Sequence, residues 1–127
     1  MLYAKLKPFA DKYDNLEPLL KELAAYLQKV SAKAEDFRHV VPVLLAEELD
    51  IEEETALVLL YFAYRAGIIE PYFVAYSPDH WYLDRFPSRE TPEELYCQEN
   101  DTYYSIDEYY VELLFEFSNP QPSISLN

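Results

Sequence analysis

The chain has 127 residues, half of them apolar, and a net charge of −14, with 13 Tyr, 7 Phe, one Trp, one Gly and one Cys. That length suits one compact domain, or a helical half and a β half sharing a core. A single glycine excludes a P-loop and any GxGxxG nucleotide loop. A single cysteine, Cys97, excludes an internal disulfide framework. No stretch approaches the ~20 apolar residues of a membrane span. The opening MLYAKLKPFA lacks the apolar run of a secretory signal, so the cytoplasm is the expected location.

The charge is unevenly spread. Residues 1–33 hold all six lysines against four acids, whereas residues 34–127 hold four arginines against 20 acids. Such a field repels nucleic-acid phosphates and anionic membranes and favours a basic partner. It also keeps a tyrosine-rich surface in solution, a role that needs no partner.

The first dozen residues, with Pro8 inside, read as a short helix or an arm. Asn15 is expected to cap a helix in which Leu16, Leu19, Leu20, Leu23, Leu27 and Val30 share one face, ending near Ser31. Pro18 fits its first turn. A second helix is expected from about Asp36, as its cap, to Leu49, with Pro42 weakening its first half. Asp50-Ile51 then connects to a third helix, Glu52 to Ala66. Its acidic first turn (Glu52, Glu53, Glu54) suits the helix dipole, and its many apolar residues predict the most buried helix. Gly67-Ile68 has the form of a Schellman stop.

After Gly67 the period changes to that of strands. Tyr72–Tyr76 and Trp81–Phe86 read as a hairpin around Ser77-Pro78-Asp79. Leu95–Cys97 and Thr102–Tyr104 read as two more strands around residues 98–101. Ser105-Ile106-Asp107-Glu108 has the pattern of a capping box. Tyr109, Val111, Leu113, Phe115 and Phe117 alternate with mostly polar residues. For residues 105–117 strand and helix both stand, with the alternation favouring strand. Residues 119–127 are expected to form a flexible tail. The expected fold class is α+β: a mainly helical unit over 1–86 that closes with the first hairpin, a β segment over 87–118 sharing its core, and the tail 119–127.

The segment DFRHVVPVLLAEELDIEEETALVLLYFAYRAGIIEPYFVAY resembles a winged helix-turn-helix, over about residues 36–86. The β segment resembles a zinc ribbon that has lost its metal, as in bacterial accessory, regulatory or phage-defence proteins. Ser77-Pro78-Asp79-His80 stands where the first knuckle would be, and Cys97-Gln98-Glu99-Asn100 where the second would be. Only Cys97 keeps a thiolate ligand, His80 is a chemically possible replacement, and Ser77 and Asn100 are poor ligands. No metal or cofactor is therefore expected. An ordinary hairpin pair explains the same residues.

A winged helix implies DNA binding, yet its reader helix would present Glu52, Glu53 and Glu54 to the major groove. No nucleophile has a base and an elbow around it. Carboxylate pairs such as Glu47-Glu48 and Glu93-Glu94 read as solvated faces, and His39 as a packed or surface residue. No catalytic residue is assigned. The expected function is a non-catalytic interaction module, an adaptor or accessory subunit meeting a larger basic protein. The alternatives are an acidic inhibitor, immunity protein or DNA mimic, and a winged-helix transcription regulator. The candidate contacts are Tyr72, Tyr76, Asp79, Trp81, Tyr82, Asp84, Tyr103 and Tyr104, since Tyr and Trp suit interface anchors. Half-buried sheet positions would explain the same rings.

Overall fold

A computed structural model of the chain describes residues 2–34 and 38–118. The fold is α+β. The helices are α1 (Leu2–Lys12), α2 (Glu17–Ser31), α3 (Pro42–Leu49) and α4 (Glu53–Arg65). A 3-10 turn, Asp14–Leu16, precedes α2. The strands are β1 (His39–Val40), β2 (Ile69–Tyr76), β3 (Tyr82–Phe86), β4 (Glu94–Cys97), β5 (Thr102–Ser105) and β6 (Tyr110–Phe117). They form a sheet in the order β1-β6-β2-β3 and a separate β4-β5 ribbon. The pairs β1–β6, β2–β3 and β4–β5 are antiparallel.

The chain divides into two units. One runs up to Glu70 and resumes at Phe115; the other is Pro71–Leu114. This division cuts across the expected boundary at residue 86.

The first unit holds the leucine core. Leu6 of α1, Leu20, Leu23 and Leu27 of α2, Leu45 of α3, and Leu59 and Leu60 of α4 are fully buried. Burying each such side chain contributes roughly 1.5–3 kcal/mol relative to exposure. Phe9 and Tyr13 stack on Phe62, with ring centroids 4.9 and 5.6 Å apart. Lys29 and Glu48 join α2 to α3 at 3.2 Å, but both are about half exposed, so this pair contributes little.

Three helix expectations need correction. Asn15 does not cap α2: it lies in the 3-10 turn, and Leu16 occupies the N-cap position without a side-chain hydrogen bond. The expected second helix is split. His39–Val40 is a strand pairing with Glu116 and Phe115, and the helix starts at Pro42. The cause is local: proline drives the preceding residue, Val41, into extended backbone (φ −107°, ψ 122°) and itself fits the first helical turn. The expected cap Asp36 lies outside the described residues, as does the tail 119–127. Thirdly, α4 is buried on one face only. Ala56, Leu59, Leu60 and Ala63 point inward, while Leu57, Val58, Tyr61 and Tyr64 are exposed.

Both α3 and α4 end in Schellman stops. In α4, Ile68 N–H bonds the Ala63 carbonyl and Gly67 N–H that of Tyr64, with Gly67 at φ +79°. In α3, Ile51 N–H bonds the Ala46 carbonyl and Asp50 N–H that of Glu47. Here an aspartate takes the left-handed position, at φ 56°. Asp and Asn tolerate that region better than other residues with a Cβ.

The second unit has a much smaller core. Ala75, Leu95 and Tyr109 cluster with Leu83, Phe86 and Tyr104 packed against them. The expected capping box does not begin a helix. Glu108 Oε1 accepts the Ser105 N–H at 2.8 Å, half of the motif, but the chain makes a turn and enters β6. The period-2 reading of β6 also fails in part: Val111 is exposed, while adjacent Leu114 and Phe115 are both buried.

Candidate interaction surface

Two short hairpins within Pro71–Leu114 position the candidate contacts. In the first, the Ser77 carbonyl accepts the His80 N–H, a β-turn with Pro78 at its second position. His80 then takes a left-handed conformation (φ 72°) before the chain reverses. This is the three-residue hairpin loop with a bulge after the turn. Ser77 fixes it from inside. It is fully buried, its Oγ accepts the Trp81 N–H at 3.0 Å, and its own N–H bonds the Trp81 carbonyl at 2.9 Å.

That anchoring leaves Trp81 just before β3 and Tyr82 at its start, 45% and 54% exposed. Tyr82 lies opposite Tyr76 in the strand register, and Asp84 opposite Ala75. Tyr76 stacks on Tyr110 at 5.5 Å, and His80 meets the edge of the Tyr110 ring at 5.7 Å while its Nδ1 hydrogen-bonds the Tyr110 hydroxyl. Partial burial and then the nearby Glu112 carboxylate raise the Tyr76 pKa above the ordinary phenol value. Asp79, in the turn, and Asp84 are both exposed.

The second hairpin, β4-β5, carries a cross-strand pair. Tyr96 lies opposite Tyr103, their rings 5.1 Å apart, and both are exposed, Tyr103 to 63%. The Tyr96 hydroxyl donates to Asp101 at 2.7 Å; that bond, first, and then desolvation raise the Tyr96 pKa. Opposite-facing positions point inward: Leu95 and Cys97 are buried and Tyr104 is half-buried.

Of the eight candidates, Trp81, Tyr82, Tyr103, Asp79 and Asp84 are exposed. Tyr76 is half-buried in the ring stack. Tyr104 packs against the small core, and its hydroxyl accepts from Asn100 Nδ2. Tyr72 is half-buried with the Arg85 guanidinium 3.9 Å over its ring. Within Pro71–Leu114 two further exposed rings fall outside the candidate set, Tyr96 and Tyr110. For Tyr96 the signal is present in the sequence: it is the outward residue between inward Leu95 and Cys97, and the hairpin register sets it beside Tyr103. For Tyr110 it is present too: it stands between Tyr109 and Val111 on the outward parity of the alternation, and it is exposed while Tyr109 is buried.

The electrostatics of this unit are one-sided. Its ten carboxylates, from Asp79 to Glu112, are all exposed, against Arg85 and Arg89 alone. Both guanidiniums lie over rings, Arg85 on Tyr72 and Arg89 on Phe73 at 5.2 Å.

Cys97 is fully buried in β4, whereas His80 is exposed and bonded to Tyr110. Among the described residues, no group of three or more His, Cys, Asp or Glu is placed to hold a metal ion. His39 is exposed on β1. No helix among the described residues is long and apolar enough to cross a membrane. Compared with protein-family models, with curated proteins and with solved structures, the chain has no match.

Proposed function

We propose that the chain is a non-catalytic interaction module, an adaptor or accessory subunit that binds a larger protein with a basic surface. The carrying observation is the pairing of exposed rings with exposed carboxylates in residues 71–114. Trp81, Tyr82, Tyr96, Tyr103 and Tyr110 are open to solvent in a unit where ten acids are exposed and both arginines lie on rings. An acidic field draws a basic partner in, and aromatic rings provide the desolvated anchors that hold it. The winged-helix resemblance of residues 36–86 adds the suggestion of a place in a cytoplasmic bacterial regulatory or phage-defence assembly. The exposed Glu52, Glu53 and Glu54 at the start of α4 argue against direct DNA reading.

Affinity purification from the native host identifies the partner, and binding kinetics then test the surface. Trp81→Ala or Tyr82→Ala is expected to act mainly by speeding dissociation, on the order of tenfold or more. Asp79→Asn or Asp84→Asn is expected to act mainly by slowing association. A partner whose kinetics ignore all four substitutions does not use this surface.

A second reading has support in the same carboxylates: an acidic inhibitor or DNA mimic that fills a nuclease or DNA-binding channel. Salt separates the two. Both association rates should fall with added salt, but an inhibitor held by its carboxylates should also dissociate faster, whereas the dissociation rate of an adaptor held by aromatic anchors should change little.

A further inference from the structure

We propose that α4 pairs with α4 of a second copy of this chain, antiparallel about a twofold axis. Among the described residues, nothing covers the apolar outer face of α4: Leu57, Val58, Tyr61 and Tyr64 are 37, 48, 50 and 45% exposed. At 100° per residue, buried Ala56, Leu59, Leu60 and Ala63 lie on one side. Glu54, Val58, Tyr61 and Arg65 lie on the opposite side, with Leu57 and Tyr64 along one edge.

The ends of this stripe carry opposite charges, and that selects the occupant. Glu54 stands at its start and Arg65 at its end, about 16 Å along the axis. Among the described residues no carboxylate pairs with Arg65; its Nη1 donates to the Tyr61 hydroxyl at 2.8 Å and its guanidinium lies 5.8 Å from that ring. Tyr61 in turn meets Tyr64 at 6.4 Å. These contacts set Tyr61, Tyr64 and Arg65 against one another. Turned end for end, it complements itself. Glu54 meets Arg65 of the second copy, Val58 meets Tyr61 of the second copy, and the twofold repeats both contacts. This is an isologous, closed interface. A parallel pairing sets Glu54 against Glu54 and Arg65 against Arg65, like charges face to face at both ends of the stripe. In the antiparallel arrangement the two acidic first turns lie at opposite ends, farther apart than the ~8 Å Debye length at physiological salt. The interface uses none of the residues proposed for partner binding.

The test is sedimentation of the full chain over concentrations up to about 1 mM, where even weak association registers. The wild type is expected to dimerise. Arg65→Glu alone and Glu54→Arg alone should each weaken association on the order of tenfold or more. The double variant E54R/R65E should recover it. Mixing the two single variants should give a heterodimer, since one copy then presents two arginines and the other two glutamates. Circular dichroism establishes that each variant is folded; if either charge variant is not, Val58→Ser carries the test and should weaken association as strongly. A monomeric wild type overturns the proposal, including one that captures a basic amphipathic helix through Tyr61. So does a dimer that ignores these substitutions or is not restored in E54R/R65E.

Discussion

The two units differ in where their apolar residues go. The helical unit places leucines from four helices in a dry interior. The inserted unit, Pro71–Leu114, has only Val74, Ala75, Leu95, Cys97, Tyr109 and Leu114 as buried hydrophobics. Yet it holds eight of the 13 tyrosines. Tyrosine fills a small, half-wet β structure where leucine would leave exposed apolar surface, because its hydroxyl can satisfy itself at the boundary. The helical unit is thus built around an interior. The β unit is built around a surface, and its turns are held by hydrogen bonds more than by packing.

Substitutions can break or sharpen that contrast. The largest effect is expected in the leucine core. Leu60→Ala should cost about 2–5 kcal/mol, read as a lowered urea midpoint; a midpoint near wild type would place the core elsewhere. In the β unit a single hydroxyl should matter. Tyr109 donates to the Pro92 carbonyl and lies 2.7 Å from Thr91 Oγ1. Tyr109→Phe should cost about 1–2 kcal/mol by orphaning these groups, with faster amide exchange concentrated in residues 91–97. If the loss spreads evenly over the helices, the β unit has no separate stability to lose.

The two Schellman stops provide a matched pair of opposite sign. Nothing lies within 4 Å of a Cβ added at Gly67, so Gly67→Ala tests backbone strain alone and should cost about 1 kcal/mol. Asp50→Gly relieves the same strain and should gain about 0.5 kcal/mol, less than the full strain because glycine also loosens the unfolded chain. Equal signs in thermal unfolding would refute the left-handed assignment at Asp50.

The smallest effect is a titration. Tyr96, bonded to Asp101, should ionise above the ordinary phenol value of about 10. A raised folded pKa means the protonated phenol is favoured by the fold. That contribution is complete below the unfolded pKa and is lost as pH rises through the folded one. Asp101→Asn should bring the Tyr96 ionisation back toward the ordinary value in a phenolate absorbance titration. An unchanged curve would show that the hydrogen bond does not form in solution.

Much of this architecture is legible in the sequence because its signals are local. The i, i+3, i+4 leucines mark α2, Gly67-Ile68 ends α4, and the turn residues bound both hairpins. The illegible part depends on partners distant in the chain. Val40 looks helical beside Val41 and Leu44, but Phe115 draws it into a strand. The outer face of α4 reads as core by composition, and only the packing of α1, α2 and α3 decides which side is covered. Among the candidate contacts, the tyrosines at hairpin register positions divide by parity. Tyr103 faces out and Tyr104 in, a distinction that needs the register and not the residue type.

The insertion of one unit within the other bears on how the chain is made. Strand β1 pairs with residues of β6, so its partners, Phe115 and Glu116, emerge from the ribosome only after the whole of Pro71–Leu114 has been translated. Until then the nascent helices have α1 through α4 to pack but no strand for His39–Val40. The closure cost grows slowly, about 0.6 kcal/mol for each doubling of the loop. Vectorial synthesis therefore makes the pairing of β1 with β6 among the last contacts of the helical unit to become available.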